Sequence, residues 1–213
     1  MAPVSHNIGD VEKHNYLAPL AIIGFSLRFP QDAVSPESFW KLIMEKRCTS
    51  SDFPLGRMNI DAHHHPDINR LDSLTMRGGH FIQEDLGAFD APFFSITATE
   101  AEALDPQHRF TLETAYRALE NAGIPIEQIT GSKTSVFTGC FTSDYSLFIS
   151  RDLEGPPKYT AVGTQMNMLA NRISWFFNLV GPSVNVDSAC SSSMMALDLA
   201  CQSLWSGDST MVC

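Results

Sequence analysis

Residues 183–204, SVNVDSACSSSMMALDLACQSL, read as a strand that stops at a turn carrying one cysteine and continues as a helix. Val184 and Val186 alternate with polar residues as a half-buried strand requires, and Asp187 and Ser188 end the alternation. From Ser191 onward Met194, Leu197, Cys201 and Leu204 recur at helical spacing, which predicts an apolar helix face. Cys190 then sits at the helix N-terminus, where unpaired backbone N–H groups and the positive end of the macrodipole favour a thiolate over a thiol. The small neighbours Ala189, Ser191, Ser192 and Ser193 leave room for a substrate carbonyl and for N–H donors aimed at a developing oxyanion.

The turn is similar to the strand-to-helix nucleophile elbow of serine hydrolases, with sulfur in place of oxygen. Cys201 serves as an internal control: three turns into the same helix and on its apolar face, it is expected to be an inert packing residue. Local chemistry alone leaves open whether Cys190 is catalytic.

The rest of the chain supports an intracellular globular reading. Its 213 residues are 44% apolar and 18% charged, enough for one core-forming domain. A formal net charge of -10, with no Lys/Arg-rich run, disfavours phosphate backbones and anionic membrane surfaces, so neither nucleic acid nor membrane is an expected partner. No stretch of about 18 apolar residues and no signal-peptide pattern occurs, and a cytoplasmic location is expected. Cys48, Cys140, Cys190, Cys201 and Cys213 are an odd set without a C-x-x-C pair, which fits free thiols better than disulfides or a zinc site.

Residues 1–17 read as a polar leader and 18–213 as one domain. PLAIIGFSLRFP (19–30) predicts a short buried strand running into a glycine turn, without the G-x-G-x-x-G of a dinucleotide site. SPESFWKLIMEK (35–46) predicts a helix capped by Ser35, with Pro36 first and Phe39, Trp40 and Ile43 on its apolar face. Cys48 to His80 reads as a long connection, and its HHHP (63–66) as a solvated loop, since adjacent histidines point apart and lack partners at ligand spacing. His80 and His108 are given no metal role either.

DPQHRFTLETAYRALENAGI (105–124) predicts the clearest helix: Asp105 caps, Pro106 is first, Leu112, Ala115, Tyr116 and Leu119 share a face, and Gly123 stops it. Glu113 and Arg117 are spaced for a favourable pair. KTSVFTGCF (133–141) predicts a strand ending at Gly139, with Cys140 a small core residue. GTQMNMLANRISWFFNLVGP (163–182) predicts a buried helix closed by Gly181 and Pro182. Its Met166, Met168, Trp175, Phe176 and Phe177 are read as core before acyl pocket. The alternation of strands and helices predicts an α/β fold.

VDSACSSSMMALDLACQSLWSGDS (186–209) closely resembles the active-site segment of β-ketoacyl synthases, the condensing domains of polyketide and fatty acid synthases. AIIGFSLRFP, RGGHFIQEDLGAFDAPFFSITATEAEALDPQHR, LETAYRALENAGIP and YTAVGTQMNMLANRISWFFNLVGPSVNVDSAC follow in that family's order. NRISWFF (171–177) is similar to the fungal highly reducing polyketide synthases. The resemblance implies a thiolase-like fold, here the N-terminal half of a layered αβαβα domain that is incomplete within these residues, and a homodimer for the complete domain. It implies that Cys190 takes an acyl group as a thioester, with its own N–H as one oxyanion donor. A malonyl unit on the phosphopantetheine of an acyl carrier protein is then decarboxylated, and its carbanion attacks that thioester. No cofactor is bound directly.

The family places two histidines and a lysine well after the cysteine, whereas no histidine follows His108 here. Only Cys190 carries over, and these residues alone are expected not to complete the condensation. The competing expectations are a non-catalytic remnant that pairs with intact synthases and a cysteine acyltransferase or thioesterase using Cys190 alone.

Overall fold

Ser35 opens the first helix because its hydroxyl accepts the Ser38 N–H at 3.2 Å while the Ser38 hydroxyl accepts the Ser35 N–H at 3.0 Å, a reciprocal cap ahead of Pro36. In this computed structural model, which describes residues 18–151, 155 and 157–213, that helix is α1 (Pro36–Met44). The leader over 1–17 lies outside the described residues. The long connection is more ordered than expected: β1 (Ser50–Asp52) and β2 (Gly78–His80) pair antiparallel and pinch its base. Polar composition hid these three-residue strands. Residues 81–97, irregular in backbone, nevertheless send Ala91, Phe94 and Ile96 into the core.

Helix α2 (Ala98–Ala103) leads into α3 (Pro106–Asn121), capped as predicted by Asp105, whose carboxylate accepts the Gln107 N–H at 2.8 Å. Leu112, Ala115 and Leu119 bury one face of α3, and Gly123 ends it at φ +69°. Glu113 does not pair with Arg117. It takes the Arg28 guanidinium at 2.9 Å instead, because Arg28 lies across α3 between Glu84 and the Phe110 ring. A short turn, α4 (Ile126–Ile129), precedes β3 (Thr134–Gly139), and α5 (Asp144–Ile149), α6 (Thr160–Thr164) and α7 (Asn167–Phe176) follow it. Then come β4 (Ser183–Val186), α8 (Ser192–Trp205) and β5 (Met211–Val212).

The sheet is parallel in the order β4-β3-β5, with Gly139 opposite Val186 and Thr134 opposite Met211. Side chains alternate across β3. Val136 joins Leu112, Ile173 and Phe177 beneath α3 and α7, while Ser135 and Gly139 meet α8 on the other face. Each large side chain in that core contributes about 1.5–3 kcal/mol.

Three expectations are corrected by packing. Residues 20–24 form no ladder, and Ile22 is 85% exposed. Both edges of β3 are taken by β4 and β5, and a cleft of about 590 Å³ separates the segment from α8 and Met211–Cys213. Helix α7 is not buried all round, since Trp175 is largely exposed; the helix ends through Asn178 at φ +52° rather than at Gly181. Gly181 is needed because a Cβ there would lie 2.4 Å from the Thr134 carbonyl oxygen. Finally, α8 turns the small residues Ser192, Ala196, Ala200 and Ser203 inward and leaves Met194 and Leu197 exposed.

Candidate active site

The strand-to-helix turn forms where it was expected. After β4, Ala189 adopts a left-handed conformation at φ +55°, and Ala189–Ser191 make one 3-10 turn before α8 begins. A Cβ-bearing residue in that region costs on the order of 1–3 kcal/mol and persists only when its surroundings over-determine it. Here they do. Asp187 Oδ1 accepts the Ala189 N–H at 3.1 Å, and Ser191 Oγ donates to the Ser188 carbonyl at 2.8 Å. Ser192 Oγ accepts the Ser188 N–H at 2.9 Å and donates to the Ala189 carbonyl at 2.6 Å.

Cys190 projects from this staple as an exposed free thiol, and its own N–H meets no acceptor among the described residues. Serine serves at 188, 191 and 192 because a short hydroxyl both donates and accepts within one turn. Gly139 completes the support: a Cβ there would meet Ser192 C and Ser193 N at 2.5 Å, so β3 touches the backbone of the first turn of α8 directly.

The same sheet end carries a second thiol. Cys140, half-buried just beyond β3, donates through Sγ to Gln107 Oε1 at 2.9 Å, and burial pushes its pKa up. Its N–H binds the Val186 carbonyl and its carbonyl accepts from Asn185, tying the N-terminus of α3 to the strand that delivers Cys190. Cys201 is half-buried in α8 and lines the cleft beneath residues 19–24.

No described cluster joins three or more metal-ligating side chains. His65 Nδ1 accepts the Asp67 N–H, and His80 Nδ1 pairs with the Thr49 hydroxyl at 2.7 Å. His108 is buried rather than solvated, at 1% exposure, with both ring nitrogens unpartnered among the described residues. Burial first and the Arg172 charge second hold its pKa down to about 4. Arg172, also buried, donates to Glu100 at 2.6 Å and to the Val162 carbonyl at 3.2 Å. This pair carries no local signal, since 72 residues separate its members. Of the group read as core before acyl pocket, Phe176 and Phe177 do belong to the core, Met166 and Met168 are half-buried and Trp175 faces outward.

Residues 18–213 match the family model for the β-ketoacyl synthase N-terminal domain. The chain is 48% identical over 202 residues to the reducing polyketide synthase pksF of Alternaria solani, covering 93% of this chain and 9% of that protein. It is 47% identical over 211 residues to the highly reducing polyketide synthase curS1 of Aspergillus terreus, covering 99% and 8% respectively. Among solved structures, the oxazolomycin ketosynthase domain OzmH KS7 of Streptomyces albus JA3453 matches with a TM-score of 0.81 at 33% identity, over 88% of this chain and 32% of that one. The ketosynthase from module 6 of the bacillaene synthase of Bacillus subtilis 168 matches at a TM-score of 0.76 and 30% identity, over 89% and 30%. The chain therefore spans less than a tenth of these curated relatives and about a third of the solved ketosynthases. The fold is the thiolase-like one the sequence pointed to, and the chain belongs to the β-ketoacyl synthase family.

Proposed function

We propose that Cys190 is the acyl-accepting nucleophile of a polyketide-synthase ketosynthase. Its sulfur adds to the carbonyl carbon of an acyl thioester, the carbonyl oxygen takes up the negative charge, and collapse of that intermediate expels the carrier thiolate. In the complete reaction a malonyl thioester then loses carbon dioxide. The resulting carbanion attacks the Cys190 thioester, forming a carbon–carbon bond and releasing the cysteine. The substrates arrive on the phosphopantetheine arm of an acyl carrier protein, and two copies of the complete domain pair; both belong to this proposal.

The observation that carries it is the elbow: an exposed thiol after a left-handed residue, in the 3-10 turn that leads into a 14-residue helix, with its own N–H unoccupied among the described residues. That N–H is suited to receive the oxyanion formed on the adjacent carbonyl. No described helix is long and apolar enough to cross a membrane.

The test is acylation of the chain by hexanoyl-pantetheine, read by mass spectrometry of the Cys190 peptide. A hexanoyl adduct on that peptide, abolished by Cys190→Ala, is expected. An unmodified Cys190 beside an acylated Cys48, the other exposed thiol, would sink the proposal.

A further inference from the structure

We infer that Ser192 is a positioning residue that sets the direction of the Cys190 N–H, an inference that rests on Cys190 being the acyl acceptor. The Ala189 carbonyl and the Cys190 N–H belong to one peptide unit. That unit is trans and planar, so the two groups point in opposite directions and holding one fixes the other. Ser192 holds the carbonyl twice, through Oγ at 2.6 Å and through its own backbone N–H, and a second bond, from the Ser188 N–H at 2.9 Å, fixes the hydroxyl in turn.

Ser192 is 3% exposed, so water does not replace the hydroxyl if it is lost. Its backbone packs directly against Gly139 and is anchored there on β3. The constraint therefore runs in one direction, from β3 through Ser192 to the 189–190 peptide. Without the hydroxyl, the Ala189 carbonyl keeps only the Ser192 backbone N–H and the left-handed Ala189 only Asp187 on its N–H side, so the peptide carrying the Cys190 N–H gains freedom to rotate.

A merely structural role for Ser192 is separable from this one by chemistry. Attack on a thioester builds charge on oxygen and needs a directed N–H. Alkylation by iodoacetamide forms a carbon–sulfur bond as iodide leaves, and no oxyanion develops. Rates of both reactions at Cys190, measured on the whole chain with hexanoyl-pantetheine and iodoacetamide, form the test.

Ser192→Ala is expected to slow acylation roughly 10- to 100-fold, toward the loss seen when an oxyanion donor is removed, and to leave alkylation within about threefold. Ser192→Thr keeps the hydroxyl and is expected to restore acylation to within a few-fold. Ser192→Val matches the threonine variant in shape but lacks the hydroxyl, and is expected to slow acylation while sparing alkylation. The threonine–valine comparison therefore decides the matter even if Ser192→Ala does not fold. Equal loss of both reactions, or undiminished acylation in Ser192→Ala and Ser192→Val, overturns the role of Ser192 alone. A wild-type chain that accepts no acyl group at Cys190 overturns the proposed function, and this inference with it.

Discussion

His108 makes the stability of this domain fall in mild acid. It sits in the first turns of α3, 1% exposed, with neither ring nitrogen partnered among the described residues and the Arg172 charge nearby. Burial, then Arg172, lowers its pKa from 6.5 to about 4. Above pH 6.5 the ring is neutral whether the chain is folded or not. As pH falls toward 4 the unfolded chain binds a proton that the folded one refuses, so stability drops across that window and levels off below it. The gap between 6.5 and about 4, at about 1.36 kcal/mol per pH unit, corresponds to about 3 kcal/mol lost by pH 4.

His108→Gln removes the titration at nearly constant size. Asp105, whose carboxyl is pushed up by burial, tilts the curve in the opposite sense near pH 4, so the decisive readout is the difference between wild type and variant. Urea unfolding followed by tryptophan fluorescence between pH 4.5 and 7.5 is expected to show the wild-type stability falling toward the acid end by nearly one proton's worth more than the variant's. Parallel curves over pH 4.5–6.5 would refute the reasoning.

Two further outcomes follow from packing. Gly139→Ala drives a methyl into the backbone of Ser192 and Ser193, 2.5 Å away, and is expected to cost about 2–3 kcal/mol in urea unfolding while slowing acylation of Cys190; an unchanged midpoint counts against the close approach. Glu100→Gln leaves the buried Arg172 guanidinium uncompensated and is expected to cost about 2–3 kcal/mol, less than a fully buried pair because the Glu100 side chain is 23% exposed. Arg172→Met should be milder, and a reversed order would show that the pair, rather than the charge left behind, sets the cost.

What could be read from the sequence was what local chemistry decides. Ser35-Pro36 and Asp105-Pro106 mark helix starts because cap and first turn are neighbours in the chain, and both helices begin there. The elbow was readable for the same reason: a β-branched strand, a polar stop and a helix-period run meet within a dozen residues. Phe94 and Ile96 were missed because periodicity detects regular elements only, and they enter the core from irregular backbone. Arg28 and Arg172 find partners far along the chain, which no spacing rule anticipates.

Helix α8 shows why period and face are separate questions. Its apolar residues do recur at helical spacing, but Met194 and Leu197 point outward because the face toward β3 has room only for Ser192, Ala196, Ala200 and Ser203. A stripe of larger side chains would hold the helix away from the sheet, near the roughly 10 Å spacing of ordinary layers. The small stripe instead lets Gly139 reach the helix backbone. That contact seats Ser192, Ser192 grips the Ala189 carbonyl, and the Cys190 peptide follows. Inward substitution of Ala196 by leucine would therefore disturb the thiol two turns away by lifting the helix, without touching any residue of the elbow.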